Sequence, residues 1–213
     1  MEFLDDKLED YVNAHTSPES QILSDLNRQT HINVLQPRML SGHLQGRALS
    51  MLSKMIQPKR ILEIGTYTGY SAICMAEGLK ENGKLITIDV NYELEDMVKN
   101  YVEKAGFSNQ IEMKVGDAIE IIPTLDKDFD LVFIDADKSN YSNYYDLLID
   151  DLPEGAIMIA DNVLWSGKVI EPTKANDIDT EALKIFNTKI QNDDRVENVL
   201  FPIRDGLMVI RKK

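Results

Sequence analysis

Two short stretches of this 213-residue chain gather residue types that can hold a cation and move a proton. The first is Asp135-Ala-Asp137-Lys138, directly after the apolar run Leu131-Val-Phe-Ile134. The second is Asp161-Asn162, directly after Ala156-Ile-Met-Ile-Ala160. Each apolar run reads as a buried parallel strand, and in open α/β sheets ligands bind beyond the carboxyl ends of such strands. Two oxygen-rich strand ends, side by side with a lysine in reach, point to a metal-assisted reaction. Singly, each has an ordinary rival: Asp135 or Asp137 as the N-cap of a helix near residue 140, Asp161-Asn162 as turn chemistry, Lys138 as a solvated lysine.

A third stretch suits a nucleotide-like ligand. Glu63-Ile-Gly65-Thr-Tyr67-Thr-Gly69-Tyr70-Ser71 lies between a strand and a helix. Its glycines permit positive φ and close backbone approach, and the helix that follows presents unpaired N–H groups to an anion. The spacing is Glu-x-Gly-x-x-x-Gly, not the G-x-G-x-x-G of a dinucleotide site. Asp89 closes the next strand, where a carboxylate can accept ribose hydroxyls. Gly116-Asp117-Ala118 closes the third, where an adenine could lie.

The elements that must position these groups begin at Arg60. Strands are expected at 60–64, 84–89, 110–115, 129–134, 156–160, 196–201 and 207–211, with helices near 69–80, 92–105, 117–123, 140–150 and 178–192. Such alternation predicts an α/β fold: a doubly wound, mostly parallel seven-stranded sheet with helices on both faces. Only Pro202-Ile-Arg-Asp205-Gly206 separates the last two strands, too short for a crossover, so the final strand should be antiparallel. Residues 1–57 read as a helical extension before one continuous domain, 58–213. Leu4, Leu8, Tyr11 and Val12 mark a first helix. Ser17-Pro18 reads as the N-cap of a second, carrying Ile22, Leu23 and Leu26. A third carries Leu44, Ala48, Leu49, Leu52 and Met55 on one face.

Composition narrows the setting. A formal net charge of −13 disfavours tight non-specific nucleic-acid binding. No apolar run approaches the roughly 20 residues that span a bilayer. The acidic start Met1-Glu-Phe-Leu-Asp-Asp-Lys lacks a signal peptide's pattern, and the single cysteine, Cys74, allows no intrachain disulfide. A cytoplasmic protein is expected.

The glycine turn, Asp89, the Gly116 turn and the antiparallel last strand together resemble class I S-adenosylmethionine-dependent methyltransferases. Rossmann dehydrogenases normally lack that last strand. Within the class, Phe133-Ile-Asp135-Ala-Asp137-Lys138, Asp161-Asn162-Val-Leu-Trp165 and Asp205-Gly206-Leu make the chain similar to the cation-dependent O-methyltransferases, which include the catechol and caffeoyl-coenzyme A enzymes. The resemblance runs from about Gln36 to the C-terminus. It implies that Glu63, Gly65 and Ser71, with Tyr67 of the same turn, hold the methionine part of S-adenosylmethionine. It places the ribose on Asp89 and the adenine on Asp117 and Ala118, with Met39 and Ser41 closing over the cofactor. It assigns a divalent cation (Mg2+, or Mn2+ or Ca2+) to Asp135, Asp161 and Asn162, with Asp135 also beside the cofactor, and the role of base to Lys138. It also implies a homodimer.

The chemistry asks for such residues. A phenol is a weak nucleophile, and a hard cation favours its deprotonated form. Two carboxylates and an amide carbonyl supply oxygen ligands and leave positions for water and two vicinal substrate oxygens. Asp137 would oppose proton loss from Lys138 if it faced inward, so it is expected to face another partner. The expected function is methyl transfer from S-adenosylmethionine to a hydroxyl of a catechol-like or hydroxylated aromatic small molecule. The alternatives are a tRNA hydroxyuridine O-methyltransferase and an NAD-dependent oxidoreductase. Cys74 reads as a packed small hydrophobe. The three histidines fit no ligand spacing, Trp165 as a pocket wall or a core residue, and Tyr141, Tyr144 and Tyr145 as packing.

Overall fold

The computed structural model describes residues 5–213, so Leu4 of the first expected helix lies outside the described residues. The chain divides into two compact units, 5–117 and 118–213, and the expected helical extension shares the first unit with three strands.

In the first unit, helices α1 (Asp6–Ala14), α2 (Gln21–Asn33) and α3 (Gly42–Ile56) precede β1 (Arg60–Ile64), α4 (Tyr70–Ala76), β2 (Lys84–Asp89), α5 (Glu95–Lys104) and β3 (Ile111–Val115). The strands are parallel, β2 lying between β1 and β3. Two expectations need correction here. The N-cap of α2 is Ser20, whose side chain accepts from the Leu23 N–H; Ser17-Pro18 lies before the helix, because Ser20 is the serine three residues ahead of that orphan donor. The buried face of α3 is Gln45, Gly46, Leu49, Ser50 and Ser53; of the expected apolar stripe it keeps only Leu49, and Met55 is 74% exposed. Its partner α4 comes too close for large side chains: a Cβ on Gly46 would lie 2.5 Å from Tyr70 Cε1, and one on Gly78 2.3 Å from the Ser53 carbonyl carbon.

The second unit holds α6 (Ala118–Ile121), β4 (Leu131–Ile134), α7 (Tyr141–Leu148), β5 (Ile157–Ala160), α8 (Ile178–Gln191), β6 (Val196–Phe201) and β7 (Leu207–Lys212). β4 and β5 are parallel, whereas β7 is antiparallel to β5 and to β6, between which it lies. β4 and β5 are buried at nearly every position, as parallel strands covered on both faces must be. The fold class is the expected one: α/β, Rossmann-like, seven strands, the last antiparallel. Among the described residues no helix is long and apolar enough to cross a membrane.

Candidate active site

In the first unit the turn after β1 is shaped by its backbone. Gly65, Tyr67 and Gly69 all have positive φ (101°, 49° and 83°), a conformation cheap for glycine and costly for tyrosine. Its N–H and its hydroxyl both hold Tyr67 there. Its N–H donates to Asp89 Oδ2 at 2.7 Å, and its hydroxyl donates to the carbonyls of Leu35 and Gln36 at 3.1 and 3.2 Å. The turn is thereby tied to the segment that carries Met39, which is exposed, and Ser41, which is buried. The other Asp89 oxygen accepts from the Asn91 N–H at 2.8 Å. Both carboxylate oxygens are thus oriented by backbone donors and keep lone pairs for further donors.

Glu63 is fully buried, and its two oxygens accept from the hydroxyls of Ser71 and Thr87, each at 2.5 Å. Such an enclosed carboxylate anchors Ser71 at the start of α4. Gly116, at φ 149°, donates its N–H to the Asp89 carbonyl at 2.9 Å. Asp117 is exposed beyond it and Ala118, the first residue of α6, is buried.

In the second unit the register pairs Ile134 with Ala160, and the Asp161 N–H donates to the Ile134 carbonyl at 2.9 Å. Asp135 and Asp161 therefore leave adjacent strands at the same level, as expected from sequence. Asp161 is buried, and its Oδ1 accepts from the Asn162 N–H at 2.7 Å. Asn162 itself has φ 59°, a left-handed conformation asparagine tolerates better than most. Lys138 is only 8% exposed. Its Nζ donates to Asp135 Oδ1 at 3.0 Å and to the Tyr141 hydroxyl at 2.6 Å. Tyr141 is wholly buried, and its hydroxyl approaches the carbonyls of Asp161 (3.0 Å) and Ile134 (3.3 Å). Burial first, and then the nearby aspartates, push its phenol well above the ordinary tyrosine range, so it stays protonated.

Asp137 does face other partners. It accepts from the Tyr144 hydroxyl, from Asn140 Nδ2 at 2.6 Å and from Ser139 Oγ at 3.2 Å, which removes it from competition for Lys138. Two carboxylates, an amide and one ammonium leave the strand ends net negative. The oxygens of Asp135, Asp161 and Asn162 are of the kind a hard divalent cation takes as ligands.

The segment after β5 is strained. Trp165, Ser166 and Gly167 take φ 48°, 52° and 79° in succession. Asp205 holds them: its carboxylate accepts from the Ser166 N–H and its carbonyl from the Leu164 N–H at 2.9 Å. Burial raises the Asp205 carboxyl above its usual range. The Trp165 ring lies 5.8 Å from Lys138 Nζ, and its indole N–H is buried with no hydrogen-bond partner among the described residues.

The structure thus groups Met39, Ser41, Glu63, Gly65, Tyr67, Ser71 and Asp89 in one unit and Asp135, Lys138, Asp161 and Asn162 in the other. Sequence reasoning missed Tyr141 and Tyr144, read as packing, whose hydroxyls meet Lys138 and Asp137. The available signal was Lys138-x-x-Tyr141, a spacing that puts two side chains on one helical face. Cys74 is buried as expected, and burial pushes its thiol up to about 12.

Comparison with known proteins accords with this geometry. The O-methyltransferase family profile matches residues 13–213. A caffeoyl-CoA O-methyltransferase of Medicago sativa is 34% identical over 183 residues, covering 79% of this chain and 72% of its own length. One from Mesembryanthemum crystallinum is 36% identical, with 79% and 70% covered. The crystal structure of the O-methyltransferase from Bacillus cereus in complex with SAH gives a TM-score of 0.90 at 27% identity over 97% of each chain. That of the O-methyltransferase TomG from Streptomyces achromogenes, involved in tomaymycin synthesis and solved with SAM, gives 0.88 at 28% identity over 97% of this chain and 96% of its own. The chain belongs to the S-adenosylmethionine-dependent O-methyltransferase family.

Proposed function

We propose that the protein is a divalent-cation-dependent O-methyltransferase that methylates one hydroxyl of a catechol-like or hydroxylated aromatic small molecule. The observation that carries this reading is the pair Asp135 and Asp161, side by side at register-matched strand ends, with Lys138 buried against Asp135. Asp135, Asp161 and Asn162 would hold the cation. When bound, it would supply positive charge that favours the deprotonated acceptor oxygen. Lys138, entering the step as the neutral amine, takes the hydroxyl proton and becomes the ammonium. The oxygen then forms a bond to the methyl carbon as the carbon–sulfur bond breaks and its electron pair returns to sulfur. Asp89 orients the ribose of the donor, and Ser71, fixed by Glu63, orients its methionine part. What remains is alignment, which is positional catalysis.

The family assignment leaves no place for the NAD-dependent oxidoreductase alternative. The relatives named caffeoyl-CoA O-methyltransferases act on a group with two vicinal hydroxyls, and the net charge of −13 opposes a tRNA substrate; both favour the small acceptor. We place the enzyme in the cytoplasm as a homodimer. The single cysteine and the exposed Met51 and Met55 of α3 support that reading. The test is label transfer from S-adenosylmethionine, with and without Mg2+, to a panel of catechols and to tRNA lacking the hydroxyuridine methyl group. Cation-dependent labelling of a catechol is the expected result, and labelling of tRNA alone would overturn the small-molecule assignment.

A further inference from the structure

Tyr141 opens α7, and side chains there point back toward the preceding turn, here the turn that carries Lys138. A buried phenol needs a partner for its proton, and the Asp161 or Ile134 carbonyl already meets that need. Burial does not explain the third contact. As an ammonium Lys138 can only donate, so at 2.6 Å the phenol oxygen accepts from it; the neutral amine that acts as base keeps two N–H groups for the same contact and turns its lone pair to the acceptor. The phenol proton then goes to the nearer carbonyl, that of Asp161 at 3.0 Å. The chain of donors runs one way, from the lysine N–H through the tyrosine O–H to the backbone of the neighbouring strand end. One salt bridge to Asp135 would leave four rotatable side-chain bonds to place Nζ, whereas two bonds in different directions fix it.

We propose that Tyr141 is a positioning residue: its hydroxyl ties Lys138 Nζ to the end of β5 and so sets where the base meets the acceptor. This rests on the reading of Lys138 as the base. It is distinct from a packing role, which the ring already fills by meeting Phe186 edge-on at 5.5 Å.

The experiment compares Tyr141→Phe with Tyr145→Phe. Both remove one hydroxyl from a fully buried tyrosine of α7, and the Tyr145 hydroxyl donates to Asp193 at 2.9 Å rather than to Lys138. kcat and KM for a catechol are measured well below both melting temperatures, with Lys138→Met beside them. Titration calorimetry follows S-adenosylmethionine and Mg2+ binding. Tyr141→Phe is expected to lower kcat about 10–100-fold, in the range of lost outer hydrogen bonds at metal sites. Acceptor KM, donor affinity and Mg2+ affinity should stay within about twofold. Tyr145→Phe should lower Tm comparably and leave kcat unchanged. Equal kcat in wild type and Tyr141→Phe, or equal loss in both tyrosine variants, would overturn the proposal while an inactive Lys138→Met keeps the base reading. A tenfold or greater loss of Mg2+ affinity in Tyr141→Phe would show the hydroxyl acting on Asp161 instead, and overturn it too. A fully active Lys138→Met would remove the base reading and the proposal together.

Discussion

Asp89, beside the turn after β1, is held by backbone donors, whereas Lys138 and Asp137, beyond the end of β4, are held by side chains. Asp89 is gripped by the N–H groups of Tyr67 and Asn91, and the turn depends on positive φ at Gly65 and Gly69. Lys138 and Asp137 are gripped by the hydroxyls of Tyr141 and Tyr144 and the amide of Asn140. Backbone donors survive most substitutions, so damage at the turn should be graded. Side-chain donors vanish with their residues, so damage at the strand ends should be abrupt. Binding of a common cofactor suits the first construction. Placing one proton acceptor needs the second.

The largest expected effect breaks the second region. Asp161→Ala should lower cation-dependent turnover by about 10³-fold or more, the rate equivalent of several kcal/mol of charge stabilisation. Calorimetry with S-adenosylmethionine should show donor affinity nearly unchanged. Asp89→Ala probes the first region and should act the other way. Losing one or two charged hydrogen bonds weakens donor binding by about 10–100-fold, and Mg2+ binding should persist. A variant that lost both affinities together would dissolve the distinction between the two regions.

Smaller effects sharpen it. Asp205→Ala removes the acceptor that holds Ser166 and should let the strained Trp165-Ser166-Gly167 turn relax. A several-fold rise in acceptor KM, on the order of 1 kcal/mol, with donor affinity unchanged would be the signature in initial-rate kinetics. Glu77 lies outside both regions and should affect stability alone. Burial would raise its carboxyl, but hydrogen bonds from Arg47, Lys54 and Ser50 outweigh that and hold it at about 2, against 4.5 normally. A depressed pKa means stabilisation that is complete above pH 4.5 and lost as pH falls toward 2. The bound is about 3 kcal/mol, reduced by the partial exposure of the cluster. Glu77→Gln should therefore lower Tm at pH 7 without changing kcat, and the gap in Tm should close as the pH is lowered through that window.

The strands were legible because parallel strands buried on both faces write themselves as short apolar runs. The adjacency of Asp135 and Asp161 followed from two such runs one crossover apart. The face of α3 was not legible. Hydrophobic periodicity assumes that large apolar side chains seek the core, but where α3 meets α4 closely, at Gly46 and beside Gly78, there is no room for one. That turned Met51 and Met55 outward and buried Ser50 and Ser53. Tyr141 was legible as a packed residue, which it is, but the contact of its hydroxyl with Lys138 was not. Aromatic residues on a helix are ordinary core, and only the position of Lys138 one turn earlier gives the phenol oxygen a second task. Glu63 illustrates a third limit, since residue type marks a carboxylate but not that Ser71 and Thr87 enclose it.

The central claim is that the carboxylates at the two strand ends serve a cation that the reaction needs. It is tested most directly by exhaustively chelating the purified enzyme with EDTA and following methyl transfer from labelled S-adenosylmethionine to a catechol. Activity should fall to background, S-adenosylmethionine should still bind, and added Mg2+ should restore turnover in wild type but not in Asp161→Ala. Full activity in the chelated enzyme would contradict the account.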